Sequence, residues 1–142
     1  YMLGDSVTAG RFEDGKLKGI KTVNNEDTEF EADNVILATG SFFSKGIVAS
    51  QNGVAEPVFG LDVDADSDRT NWYQRNMFDA QPYMTFGVAT DEEFRAKKDG
   101  KPVVNLYVVG SVLSGFNAIK DGCGAGVSIL TSLNAADQIM NL

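Results

Sequence analysis

The sequence predicts an α/β fold, and three features carry that prediction: an alternating opening third, two apolar runs that end on small residues, and a glycine-started helix near the C-terminal end. In chain order, Val7 to Phe12 and Leu17 to Val23 alternate around Glu13-Asp14-Gly15-Lys16. Asp-Gly between alternating runs predicts a hairpin, because both residues accept the positive φ of a tight turn. A polar turn at Asn24 to Asp27 and a third run, Thr28 to Ala32, complete an expected antiparallel β-meander. Leu17, Gly19, Lys21 and Val23 share one face and Lys18, Ile20 and Thr22 the other. Neither face is wholly apolar, so the hairpin is expected to be half exposed.

Asp33 to Ser41 reads as a short buried strand ending on Ala38, Thr39, Gly40 and Ser41. From Ser41 to Lys101 the chain turns irregular, with glycines, an acidic run and scattered aromatic residues. A structureless loop of that length would be unusual, so short strands are expected around Val54 to Phe59 and Thr85 to Thr90, with one or two short helices. Lys97 to Lys101 reads as a solvated turn. Val103 to Val109 is a nearly continuous apolar run that stops at Gly110, the mark of a strand buried on both faces. Gly122-Cys123-Gly124-Ala125-Gly126 then opens a helix in which Val127, Leu130, Leu133, Ala136 and Met140 recur at helical spacing. The expected organisation is residues 1–48 as meander plus buried strand, 49–101 as a substrate-side insertion, and 102–142 as return strand and helix.

Composition narrows the chemistry. At 142 residues, 43% hydrophobic and 23% charged, the chain has the length and balance of one globular domain. A net charge of -8 without clustered Lys or Arg argues against nucleic-acid binding. The absence of histidine removes Ser-His and Cys-His nucleophile pairs and histidine metal sites. A single cysteine, Cys123, makes no intrachain disulfide and fits a reducing compartment. The apolar runs are too short for a membrane span, and no signal-peptide pattern opens the chain. It opens at Tyr1 within what reads as a strand, so an excised fragment or processed chain is expected.

Two segments carry candidate ligand chemistry. A glycine-paved helix start offers free backbone N-H groups and the positive end of the helix dipole, which favour a phosphate, a carbonyl oxygen or an anionic ring. Gly122-x-Gly124-x-Gly126 departs from the dinucleotide fingerprint G-x-G-x-x-G, since its last glycine comes one residue early. It is therefore not expected at a pyrophosphate. Asp62 to Asp68 alternates carboxylates as a calcium loop does, but Ser67 and Tyr73 stand where glycine and glutamate are required, so it reads as a solvated acidic loop and no metal site is expected. Cys123 at a helix start reads either as a reactive thiolate or as a small residue fitting a crowded turn. Arg69, Arg75, Arg95 and Lys120 are the cations available to an anionic substrate, with Lys120 best placed beside the glycine turn. Phe42 and Phe43 follow Ser41 either as core anchors or as a shield for a ring system.

With these residues in place, the chain resembles the C-terminal portion of two-domain flavoproteins of the glutathione-reductase-like FAD/NAD(P)-binding fold, which is Rossmann-like. VILATGSFFSKGIVA, NGVAEPVFGLDV, QPYMTFGVATDEEFR and NLYVVGSVLSGFNAIKDGCGAGVSILTSLNAADQI are similar to the B-subunit family of anaerobic glycerol-3-phosphate dehydrogenases. The resemblance is collinear from Val35 onward, and the opening meander matches in pattern only. It implies a partial FAD/NAD(P)-binding domain with a meander and an irregular, strand-containing insertion on the substrate side. It implies FMN, with FAD as the alternative, held by Ala38, Thr39, Gly40 and Ser41, by Gly110, Ser111 and Val112, and by Gly122, Cys123, Gly124, Ala125, Gly126 and Val127. Many flavoproteins of this fold carry an acidic residue after the late glycine, where this chain has Ser111.

The same resemblance implies oxidation of sn-glycerol 3-phosphate to dihydroxyacetone phosphate, with electrons passing toward menaquinone in fumarate or nitrate respiration. Its implied partners are a catalytic, FAD-bearing A subunit and an iron-sulfur C subunit, with cytoplasmic placement at the inner face of the bacterial membrane, reached only through the complex. The phosphate-binding wall is expected in sequence outside this chain. No catalytic base is assigned, and a flavin that only relays electrons needs none. A scaffold that docks the other subunits, or a flavin-dependent reductase of another substrate, are the alternative readings.

Overall fold

A computed structural model describes residues 1–141. Its centre is a sheet of three strands in the order β3-β9-β8: β3 (Val35–Leu37) lies parallel to β9 (Lys101–Val108), and β8 (Arg95–Lys98) lies antiparallel to β9 on the other side. The mixed α/β architecture agrees with the fold class expected of a partial Rossmann-like domain. The parallel pairing sets Val35, Ile36 and Leu37 opposite Leu106, Tyr107 and Val108, so both strands end at the same level.

β1 (Val7–Glu13) and β2 (Lys16–Thr22) form the expected hairpin, with Asp14 at φ 49° and Gly15 at φ 73° making its two-residue turn. The third strand of the meander is a correction. Thr28 to Ala32 contributes a single bridge, in which Phe30 and Ile20 exchange backbone hydrogen bonds of 2.9 Å. Phe30 is flanked by Glu29 and Glu31, both paired with Arg11, so the segment has one apolar residue to turn inward and cannot extend the sheet.

The hairpin is fixed to the sheet by Asn105. Its Oδ1 accepts from the Leu17 N-H at 2.8 Å, and its Nδ2 donates to the carbonyls of Leu17 (2.9 Å) and Asp33 (3.0 Å). A side-chain amide here acts as one more rung of backbone pairing. The main core gathers Leu17, Leu37, Ile47, Phe59, Leu61, Phe86, Val88, Leu106, Val108 and Val112, and Phe12 meets Phe59 edge to face at 6.0 Å.

The insertion folds as short pairs rather than as helices. β4 (Val48–Ser50) pairs with β5 (Gly53–Ala55), and β6 (Val63–Asp64) with β7 (Gly87–Val88), shorter than the strands expected around 54–59 and 85–90. The expected helices are single 3-10 turns at Phe42–Ser44, Arg69–Asn71 and Pro82–Thr85. Glu56, only 2% exposed, nucleates one turn of this region: its carboxylate accepts from the N-H groups of Val58 (2.9 Å), Phe59 (2.7 Å) and Leu61 (3.4 Å). Lys97 to Lys101 is more than a solvated turn. Asp99 and Gly100, at φ 52° and 75°, close a second Asp-Gly hairpin between β8 and β9.

The helix α1 (Gly124–Met140) starts where the glycines place it, but its packed face differs from the expected one. Thr131 and Ala135 are buried and Val127 and Ile139 half-buried, whereas Leu130 is 68% exposed and Leu133 and Met140 are also exposed. Steps of three residues fall about 60° short of a full turn while steps of four overshoot by only about 40°, so the 127-131-135-139 stripe stays on one side and the 127-130-133-136 series winds away. Small residues win the contact because the helix lies close to the turn after β9. Thr131 Oγ1 accepts from the Gly110 N-H at 3.0 Å and donates to the Val127 carbonyl at 2.6 Å. β3 likewise is buried on one side only, with Leu37 inside and Ile36 exposed.

Candidate functional site

Parallel strands that end at one level leave a crevice at their carboxyl ends, the place where open α/β sheets receive ligands. Beyond Leu37 the chain runs through Ala38, Thr39, Gly40 and Ser41, and beyond Val108 through Gly110 and Ser111, with the Val109 N-H donating to the Leu37 carbonyl at 3.0 Å. Gly40 takes φ 81° and Gly110 φ 74°, so both turns use conformations that side-chain-bearing residues rarely adopt. The turns approach each other: a Cβ on Gly40 would lie 2.7 Å from Ser44 Oγ and 3.7 Å from Ser111 Oγ.

A cavity of about 250 Å3 opens at this junction, lined by Ser41, Phe43, Met84, Ser111, Leu113, Phe116, Ala118 and Ile119. Two of the candidate residues from distant parts of the sequence, Ser41 and Ser111, thus share one wall. Phe43 is 79% exposed at the opening, while Phe42 turns inward and packs edge to face on Tyr83 at 6.3 Å. One Phe anchors and the other borders the cavity.

The other candidates occupy different positions around it. Gly110 and Val112 are buried, and Val112 belongs to the core. Ala38 is exposed, and Thr39 carries a buried Oγ1 that has no hydrogen-bond partner among the described residues. Gly122 to Val127 are not in its lining. Gly124 reaches it indirectly, since a Cβ there would meet Ala118 Cβ at 3.3 Å. Gly122, at φ 61°, and Gly126 have no heavy atom within 4 Å of where a Cβ would stand, so the backbone at the helix start is open to close approach. Cys123 is half-buried at the cap position, and its side chain makes no capping hydrogen bond.

These features fit a flavin-sized ring system. The lining is largely apolar with two serines in one wall, and the helix start touches it only through Ala118. The adjoining cavity, about 340 Å3, shares Met84 and Ile119 with the first and adds Met77, Phe78, Asp79, Gln81, Tyr83, Asn117 and Lys120. Met84, Phe116 and Ile119 are contributions that sequence patterning misses, because irregular segments carry no periodicity to mark which apolar residues face inward.

The cations separate by their partners. Arg95 is held by Asp91 (2.8 Å) and Glu93 (2.9 Å), and Arg69 donates to the Ser50 carbonyl and stacks over Trp72 at 5.0 Å. The acidic run is also occupied: Asp62 accepts from the Asp99 and Gly100 N-H groups, Asp64 from Ser114 Oγ at 2.6 Å, and Asp68 from the Thr70 N-H. Its carboxylates brace turns, and no cluster of metal-ligating side chains forms among the described residues.

Comparison with known proteins adds a consistent set of findings. The family model described as FAD binding domain matches residues 5–127. The chain is 42% identical over 139 residues to the B subunit of the anaerobic glycerol-3-phosphate dehydrogenase of Vibrio cholerae, an alignment covering 96% of this chain and 32% of that protein. It is 41% identical over 140 residues to the protein of that name from Yersinia enterocolitica, covering 99% and 33%, and 47% identical over 117 residues to that from Pectobacterium atrosepticum, covering 82% and 28%. The chain therefore spans about a third of the length of the curated relatives it matches. No solved structure matches it.

Proposed function

This chain belongs to the FAD-binding domain family, and from that premise we propose that it forms one wall of a flavin site in a dehydrogenase that oxidises sn-glycerol 3-phosphate. The observation that carries the reading is the convergence of the Ser41 and Ser111 turns, from the carboxyl ends of parallel β3 and β9, on one apolar cavity. Fold alone would not assign the substrate, which rests on the names of relatives at 41–42% identity.

In this reading a bound flavin supplies the ring that takes up electrons. Ala38 to Ser41, Gly110 and Ser111 would border it, with Val112 supporting that turn from the core; the Thr39 hydroxyl would gain a partner, and the helix start at Gly122 to Val127 would favour negative charge at the ring or ribityl end. FMN is the proposed form, with FAD, for which the matching family is named, as the alternative. The apolar walls of Leu113, Phe116 and Met84 exclude water from the ring. The serines supply orientation and no base, so proton removal from substrate falls to a carboxylate or lysine elsewhere. A relay role, passing electrons from a second flavin-bearing protein toward an iron-sulfur partner and menaquinone, would need no base from this chain. The complex is proposed to work at the cytoplasmic face of the bacterial membrane, bound through its partners.

The test is the absorbance of the purified full-length protein. Flavin bands that survive gel filtration, and that are lost in Gly124→Asp while assembly persists, support the redox reading. A folded protein that remains colourless with added FMN or FAD removes it. The exposed apolar face of α1, with Ile129, Leu130 and Leu133 outward, favours a second reading in which the fold serves to dock other chains. That reading requires electron transfer to survive in an assembled Gly124→Asp complex.

A further inference from the structure

We propose that Lys120 is the anchor for the anionic end of the substrate, a small phosphate monoester, in the cavity adjoining the flavin wall; this deepens the proposed function and rests on it. The two cavities share Met84 and Ile119, so a molecule in the outer one lies against the edge of the inner one. Lys120 is the one cation among the described residues that lines either cavity. Its ammonium makes no ion pair or hydrogen bond among the described residues, in a chain whose net charge is -8.

The local structure explains why that ammonium stays free. The turn from Asn117 to Asp121 is tied to itself: the Asn117 N-H donates to Asp121 Oδ2 (3.2 Å), the Asp121 N-H to the Asn117 carbonyl (2.9 Å), and the Lys120 N-H to Asn117 Oδ1 (3.0 Å). The neighbouring carboxylate of Asp121 is thus engaged by the Asn117 backbone. Asp79, the remaining charge in the lining, accepts from Asn76 Nδ2 at 3.3 Å. An anion entering this space meets one attractive charge and one repulsive one, which orients it toward Lys120. Its carbon chain then lies along Ile119 and Met84 in the direction of Ser41 and Ser111. A lysine suits this task, being a compact charge with three donors that matches a phosphate without requiring a planar fork.

The experiment uses the full-length protein assembled with its partner subunits. Lys120→Met should raise the KM for sn-glycerol 3-phosphate by roughly tenfold or more, the loss expected for one charge-assisted contact, while flavin absorbance and kcat are retained. Lys120→Arg should recover most of the affinity. In the wild-type protein, sn-glycerol 3-phosphate and inorganic phosphate should protect Lys120 from reductive methylation, whereas glycerol should not; this arm needs no variant to fold. An unchanged KM in a flavin-loaded Lys120→Met protein, or equal labelling of Lys120 with and without the ester, overturns the assignment. A wild-type complex that holds flavin but does not respond to sn-glycerol 3-phosphate overturns the parent reading and this one together.

Discussion

The two ends of β9 are built on opposite terms. Where the strand begins, polar groups are paired: Asn105 takes both backbone groups of Leu17 and the carbonyl of Asp33, the Val104 N-H donates to the Gly15 carbonyl, and Asp62 caps the β8–β9 turn. Where it ends, the chain passes through positive-φ glycines, leaves Thr39 Oγ1 without a partner, and opens onto an apolar cavity. The first end is tied together by its own hydrogen bonds. The second, open and with a side-chain hydroxyl unpaired among the described residues, is the end that the proposed flavin site uses.

The contrast breaks most severely at Asn105. Asn105→Leu keeps the volume but strands the buried Leu17 backbone groups and frees the part-buried Asp33 carbonyl, and unfolding of the full-length protein by urea should show a loss of about 3 kcal/mol. A loss below about 1 kcal/mol would mean that water or backbone shifts replace the amide, and that this end is less fixed than its hydrogen bonds indicate. Glu56→Ala removes the acceptor for three backbone donors in the core-facing insertion and should cost about 2 kcal/mol by the same measurement. Glu56→Gln, which retains one acceptor oxygen, should fall between the two.

Thr39→Val sharpens the other side of the comparison. Replacing an unpaired buried hydroxyl by a methyl should leave the flavin-free protein unchanged or more stable by up to about 1 kcal/mol, and should weaken flavin retention. Thermal melts with and without FMN separate these effects, and a destabilised flavin-free variant would show that the hydroxyl is already satisfied. The smallest effect lies at Asp91. Burial opposes its ionisation, but the Arg95 guanidinium and the N-H groups of Arg95 and Glu93 outweigh it and hold its carboxyl below 3.8, the ordinary value. A depressed carboxyl stabilises the fold above its unfolded pKa and loses that contribution as pH falls below it. Wild type should therefore lead Asp91→Asn by under about 1 kcal/mol near neutrality, with the gap closing below about pH 3.8, as melts across that range would show.

Legibility in the sequence follows the range of the interactions. Asp14-Gly15 announces its hairpin because a two-residue turn is specified by its own residues, and the small-residue ends of β3 and β9 mark the Ser41 and Ser111 wall. Asp99-Gly100 carries the same signal, yet Arg95 to Lys98 is so polar that β8 reads as part of a turn; its strand character comes from β9. The start of α1 is readable from its glycines. Its packed face is not, because Thr131 is held by the Gly110 N-H and Ala135 by its fit against Tyr107 and Val109, neither of which periodicity marks. Asn105 and Glu56 look like ordinary surface residues in the sequence, since what makes them structural is a partner brought near only by folding.

The bond between Asn105 and Leu17 spans 88 residues, and this separation sets the order in which the molecule can assemble. During synthesis Leu17 is made 88 residues before the Asn105 that docks it. Parallel pairing of β3 with β9 must also wait until β9 has been made. Such non-local closure is slow, because loop entropy is lost before any contact repays it. Through that interval the unpaired edges of β2 and β3, with Leu17, Ile36 and Leu37 uncovered, are open to other nascent chains. Yield on expression should accordingly respond to chaperone supply and to translation rate before it responds to equilibrium stability.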